Sequence, residues 1–132
     1  MIRFILDTNV LIDILRGRNQ NALERFLEMG IDHCAIADIS VFELLCGAAN
    51  SSCPEKNREN MGKLIEQIQV IPSSSAYWDA AKNKARLKNS GTLIEDVDLL
   101  IGCTALHFDF TLVTGNIQHM QRIEGLKIEP WD

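Results

Sequence analysis

No apolar run in the 132 residues approaches the ~20 needed to cross a bilayer. The start carries one basic residue, Arg3, and no small-residue cleavage site behind a long apolar stretch, so no secretory leader is expected. The four cysteines, Cys34, Cys46, Cys53 and Cys103, form no CxxC pair, and none stands at zinc-finger spacing from a histidine. Cys46 and Cys103 fall in apolar, helix-like patterns, where a free thiol acts as a small hydrophobe. A reduced, cytoplasmic protein without a disulfide framework is expected. His33, His107 and His119 are scattered without ligand spacing. There is no internal repeat, no low-complexity segment and no dividing linker, so residues 1–132 are expected to form one domain. A chain of this length buries roughly two-thirds of its unfolded surface. Positive charge is not in excess either. The net charge of −5 argues against holding nucleic acid through the overall field. A local basic stripe would still allow it, and so would an acidic cluster that holds a cation.

What is there is an alternation. FILD reads as a short buried strand with Asp7 at its carboxyl end. NVLIDILRG has helical spacing, with Asn9 the best-placed cap and Gly17 past the end. NALERFLEMG is a second helix with Leu23, Phe26 and Leu27 as its buried stripe. HCAIAD is a strand, SVFELLCG a helix over 40–47, and a further helix is expected over 54–67. QVIP is a strand stopped by Pro72. The serine-rich 73–91 segment and EDVDLLIGCTALHF are helices, FTLVTGN is a strand, and LKIEPW is an edge strand. Short apolar strands alternating with helices predict an α/β fold with a small parallel sheet covered on both faces. Ligands gather outside the carboxyl ends of such strands. Asp7 and Asn116 both lie there.

The acidic residues repay inspection one by one. Asp7, Thr8 and Asn9 are all good caps, and one helix needs only one. Ser40-x-x-Glu43 is a capping box, which by itself accounts for Glu43. Glu95, Asp96 and Asp98 open a helix, where acids offset the positive end, and that explains one or two of them. Asp98 is in register with Ile101, Gly102 and Ala105, a buried-looking face on which a carboxylate needs partners or a cation. Asn116 in VTGN is a common turn residue. Taken together, Asp7, Glu43, Asp98 and Asn116, with Asp96 in support, sit at strand ends or first helical turns that a covered parallel sheet brings together. Two carboxylates ~5 Å apart repel by about 3 kcal/mol at an effective dielectric near 20. A third requires protons or a cation, and oxygen ligands select Mg²⁺ or Mn²⁺.

The stretches FILDTNVLID, ISVFELLCGA, GTLIEDVDLLIGCTAL and LVTGNIQHMQRIEGLKIEPW resemble, in the same order and over nearly the whole chain, the PIN-domain ribonucleases, and among them the VapC toxins of toxin–antitoxin pairs. The resemblance implies a three-layer α/β/α PIN fold. It matches Asp7 to the first metal-binding aspartate, Glu43 to the family glutamate and Asp98 to the third acid. Asn116 falls where many relatives carry a fourth acid and some an asparagine, which removes one charge from a second metal position. Asp96 is a less secure extra acid. Gly102 and Cys103 stand where two alanines are common. The resemblance further implies a homodimer, a small VapB-like antitoxin and Mg²⁺-dependent endonucleolytic cleavage of RNA.

The expected chemistry is metal-assisted phosphodiester hydrolysis, with Asp7 and Asp98 holding Mg²⁺ (or Mn²⁺). Glu43 holds the metal or positions the water, and Asn116 orients a water. Lys82, Lys84, Arg86 and Lys88 lie on one helix. Lys82 and Arg86 share a face that suits RNA phosphates or simply solvent. Arg16, Arg18 and Lys56 are alternatives. An acidic pocket also suits a partner's arginine. Leu11, Ile14, Leu23 and Phe26 offer either a groove for a partner helix or core. The competing readings are a nuclease of the same fold acting on other nucleic acid and a non-catalytic PIN-fold protein-binding domain. A receiver or haloacid-dehalogenase-like phosphatase needs an aspartate where Asn9 stands and a lysine that VTGN lacks.

Overall fold

In this computed structural model, which describes residues 1–132, the elements follow in order. They are β1 (Phe4–Leu6), α1 (Thr8–Leu15), α2 (Gln20–Met29), β2 (Cys34–Ala37), α3 (Asp38–Ala49), α4 (Pro54–Gln67) and β3 (Gln69–Ile71). Then come α5 (Tyr77–Asn89), α6 (Asp96–His107), β4 (Thr111–Val113), α7 (Ile117–Met120) and β5 (Ile128–Glu129). Short 3₁₀ turns at Ile31–His33 and Ser74–Ala76 lead into β2 and α5.

The strands form one parallel sheet in the order β3-β2-β1-β4-β5. Every residue of β1 and β2 is buried, as expected for strands covered on both faces. Strand alternation divides the core in two. Phe4, Leu6, Cys34, Ile36 and Val113 pack with Leu11, Ile14, Ala22 and Leu44 from α1, α2 and α3. Ile5, Ala37 and Leu112 pack with Ala80, Leu87, Leu99, Ile101 and Ala105 from α5 and α6. Gly102 permits one close approach. A Cβ there would lie 2.5 Å from Ile123 Cδ1, so an alanine at this α6 position requires the end of the Ile123 side chain to shift.

The chain runs outward from β1 to β2 to β3 and then returns to β4 on the other side of β1. The carboxyl ends of β1 and β4 therefore flank the switch point of the sheet, where a crevice forms.

Several local expectations change. α1 begins at Thr8 with Asp7 as its N-cap, whose Oδ1 accepts from Thr8 N–H at 2.8 Å. Asn9 is an exposed residue inside the helix. α3 starts two residues earlier than Ser40, directly after β2, and Ala37 is its cap. Ser40 and Glu43 therefore form no capping box. Leu27 is exposed and Ala22 takes its place in the core. Cys46 is exposed, whereas Cys103 is buried, and all four thiols are free. Burial pushes the Cys103 thiol up to about 12, which keeps it protonated and inert. No helix is long and apolar enough to cross a membrane.

Candidate active site

β1 ends at Leu6 and delivers Asp7 into the crevice. Asp7 is only 7% exposed, so its carboxylate is held by the protein rather than by solvent. Oδ1 accepts from Thr8 N–H at 2.8 Å, and Oδ2 accepts from the fully buried Thr114 hydroxyl at 2.7 Å. Thr114 in turn accepts from Asn116 N–H at 3.0 Å. β1 and β4 pair directly, with Leu6 level with Val113, so the residues that follow each strand meet. Burial raises the Asp7 pKa above the ordinary aspartate value, and the bonds from Thr114 and Thr8 oppose that rise.

Thr8 links Asp7 to Glu43. Its hydroxyl lies 2.6 Å from Glu43 Oε1 and 2.8 Å from Ser40 Oγ. A hydroxyl carries one proton, and the charged carboxylate takes it at the shorter distance. Ser40 then donates to Thr8 Oγ1. Thr8 and Ser40 are both buried, so the pair fixes the rotamer of the half-buried Glu43.

Asp98 is the third residue of α6 and is half-buried. Its pKa is raised, first by burial and then by the like charges of Asp7, Glu95 and Glu43. His119 acts in the opposite direction. The end of β1, α3 and α6 thus place Asp7 and Glu43 where both act as like charges on Asp98. Asn116 stands at the start of α7 and lines a pocket with Asp7. Asp96 takes another direction. It pairs with Lys84 Nζ at 2.8 Å on the exposed surface, because residues two apart on a helix do not share a face. Glu95, not Asp96, is the neighbouring acid that acts on Asp98.

The cationic candidates stand elsewhere. Arg86 donates to the Arg122 carbonyl at 2.6 Å and to Asn83 Oδ1 at 2.9 Å, a structural commitment. Lys82 lies 3.8 Å from Asp79 and over the Trp78 ring. Arg16 follows α1 and lines a separate groove of about 340 Å³ with Ile12, Leu15, Leu44, Met61 and Leu64. Leu11 and Ile14 are core, and Leu23 and Phe26 pack against it. The apolar groove therefore lies between α1, α3 and α4 instead.

The donors are all carboxylate, amide or hydroxyl oxygens, a set for a hard cation. No three His, Cys, Asp or Glu side chains converge closely enough to hold an ion among themselves. That is compatible with Mg²⁺, which keeps several waters and takes one or two protein carboxylates. The mutual repulsion raising Asp98 is the kind a cation relieves.

Sequence reasoning missed the supporting shell of Thr114, Ser40 and Glu95, and it took Thr8 only as a cap candidate. A threonine directly after an apolar strand, in LVTGN, was the one available signal for Thr114.

An all-parallel domain with acidic side chains near its switch point, close enough for Asp7 and Glu43 to act as like charges on Asp98, is the architecture of the PIN domain. The PIN domain family model matches residues 4–126, and the chain belongs to that family. Within it the similarity runs to the VapC ribonucleases. The chain is 30% identical over 132 residues to the tRNA(fMet)-specific endonuclease VapC of Salmonella typhimurium, covering 99% of each. It is 29% identical over 134 residues to ribonuclease VapC2 of Haemophilus influenzae, again covering 99% of each. Among solved structures it resembles a chain of DNA-bound VapBC from Salmonella typhimurium, with TM-score 0.91, 29% identity and full coverage of both chains. It also resembles VapBC2 from Rickettsia felis bound to a promoter DNA fragment, with TM-score 0.87, 27% identity and full coverage of both.

Proposed function

We propose that this protein is a divalent-metal-dependent endoribonuclease and the toxin of a VapBC-type pair, acting as a single domain in the cytoplasm. One observation carries the reading. Asp7 and Glu43, on elements far apart in sequence, act as like charges on Asp98 at the carboxyl end of a parallel sheet. Similarity to VapC ribonucleases over the full chain supports it.

Asp7 and Asp98 hold the cation, Mg²⁺ or Mn²⁺. When bound, the metal neutralises charge building on the phosphate and acidifies the attacking water. Thr114 and Thr8 N–H hold Asp7 in one orientation, so its remaining lone pairs face the crevice. Thr8 occupies Glu43 Oε1, which leaves Oε2 to accept a hydrogen bond from the attacking water. The Asn116 side chain orients that water through its amide. Lys82, held only by a long surface pair, is free to exchange Asp79 for an RNA phosphate. Arg86 serves the fold.

The antitoxin partner binds the groove between α1, α3 and α4, where an amphipathic helix covers Leu15, Met61 and Leu64. An arginine from that partner competes with the cation for Asp7 and Asp98. The active form is a homodimer.

The test is cleavage of single-stranded RNA by the purified protein with Mg²⁺ or Mn²⁺, beside matched DNA. RNA cutting that chelator stops and Asp7→Asn removes is the expected result. No cutting of RNA under either metal, with cellular toxicity unchanged in Asp7→Asn, overturns the reading. Cutting of DNA alone transfers it to a deoxyribonuclease.

A further inference from the structure

A pocket of about 300 Å³ opens beside Asp7 and Asn116 and is completed by Asn9, Asp13, Asn19 and Trp131. Neither Glu43 nor Asp98 lines it, so it lies to one side of the acidic centre. Its volume is at the lower end for small-molecule sites.

The outer wall is fastened in place. Asn19 caps α2 through Oδ1, which accepts from Ala22 N–H, and its Nδ2 donates to the Trp131 carbonyl at 3.3 Å. Arg25 pairs with Glu129 at 2.7 Å. Trp131 is 4% exposed, sets its ring edge-on to Phe4 at 5.3 Å and lies beneath Arg25. These contacts clamp the last residues to α2 and give the pocket a fixed shape.

The groups left without partners share a chemistry. Trp131 Nε1 is the one buried side-chain nitrogen or oxygen in the chain with no hydrogen-bond partner. That nitrogen is enclosed by the protein, so it offers nothing to a ligand in the pocket, and Trp131 serves as a wall. Asp13 makes no ion pair and no side-chain hydrogen bond, and the same holds for the amide of exposed Asn9. No lysine or arginine lines the pocket, and Asp7 and Asp13 repel a phosphate. The pocket thus offers carboxylate and amide groups, and it disfavours anions. A nucleobase carries the matching edge. Exocyclic amino groups on adenine, cytosine and guanine donate to a carboxylate, whereas uracil has no amino group and flanks its single N3–H with two carbonyl oxygens that a carboxylate repels. Unpaired RNA bases are splayed from the strand and available for this kind of capture.

We propose that this pocket seats an unpaired base flanking the scissile phosphate and selects against uracil through Asp13, with Asn9 holding the base edge and Trp131 forming the wall. The proposal rests on the ribonuclease reading, which supplies the phosphate beside Asp7.

The test uses short single-stranded RNAs that share one mapped cut site and carry A, C, G or U at each flanking position. Wild-type protein is expected to show kcat/KM roughly tenfold or more lower with uracil at one of those positions. Asp13→Ala should bring the four bases within about twofold of one another while cutting continues. Asp13→Asn, whose amide donates to a carbonyl, should turn the preference toward uracil. A ratio between bases is insensitive to a general loss of folded enzyme, and Asn9→Ala, at an exposed position, gives a second variant. Wild-type protein that cuts all four alike overturns the proposal alone, as does an unchanged preference in both Asp13 variants. Wild-type protein that cuts none of the panel under Mg²⁺ or Mn²⁺ overturns the ribonuclease reading, and the subsite with it.

Discussion

Thr114 donates its hydroxyl proton to Asp7 Oδ2 at 2.7 Å across 107 residues of sequence, and both groups are buried. Removing that donor leaves a buried carboxylate oxygen short of a partner. Thr114→Val is expected to cost ~1–3 kcal/mol of stability and to weaken divalent-metal binding ~10–100-fold. Thr114→Ser should restore most of both. Denaturant titration and calorimetric titration with Mn²⁺ read the two effects separately, and unchanged metal affinity in Thr114→Val removes Asp7 from the metal site.

Asp7 is both a helix cap and the proposed ligand, and two substitutions separate the roles. Asn keeps a side-chain oxygen for Thr8 N–H, so Asp7→Asn should fold as stably as wild type without metal and cut no RNA. Asp7→Ala loses the cap and should be less stable by about 1 kcal/mol. Equal melting of the two variants contradicts the capping bond seen at 2.8 Å.

The raised pKa of Asp98 has a consequence for stability against pH. In the folded protein this carboxyl binds its proton more tightly than in the unfolded chain. Its contribution is therefore fully present below the unfolded pKa of about 4. It is lost as pH rises through the folded value. Metal-free Asp98→Asn should melt a few degrees above wild type at pH 7, with the difference vanishing below about pH 4. Added Mg²⁺ should raise the melting temperature of wild type and leave that of Asp98→Asn nearly unmoved. A difference that persists at low pH assigns the effect to packing instead.

Asp96 tests the boundary of the site. Its carboxylate is bound to Lys84 on the surface, so Asp96→Asn should leave metal affinity within about twofold and stability within ~0.5 kcal/mol. A loss of metal binding approaching that of Asp98→Asn would place it among the ligands.

The groove between α1, α3 and α4 separates binding from cutting. Leu15 is 45% exposed and lines it, so Leu15→Asp should fold. A charge there is expected to weaken antitoxin binding by ~2 kcal/mol or more. RNA cleavage by the free protein should continue. Antitoxin affinity equal to wild type, measured with the purified pair, moves the interface to another face.

Most of the layering was legible in the chain. FIL, CAIA and TLV are short apolar runs between helical patterns, and that alternation specifies a parallel, doubly covered sheet. The helix over 54–67 and the edge strand at Ile128–Glu129 stand as expected. Boundaries failed where a strand flows straight into a helix. Thr8 and Asp38 begin helices directly after strand ends; the first start offers three adjacent cap residues, of which Asp7 is used, and the second has Ala37 as its cap with no side-chain bond. Ser40-x-x-Glu43 looked like a capping box because the local pattern is the same whether those side chains turn back to the helix end or across to Thr8.

Residue type and order alone determined the class of fold and the candidates Asp7, Glu43, Asp98 and Asn116, since hydrophobic period and strand-end position are local properties. Only the tertiary structure decided which acids share a field. The pairing of β1 with β4 brings Thr114 to Asp7, the first turn of α6 turns Asp98 inward and Asp96 out to Lys84, and Trp131 folds back against α2. Those choices depend on contacts between residues tens of positions apart. Energies of that kind arise from burial and charge in three dimensions, and no stretch of the chain carries them by itself.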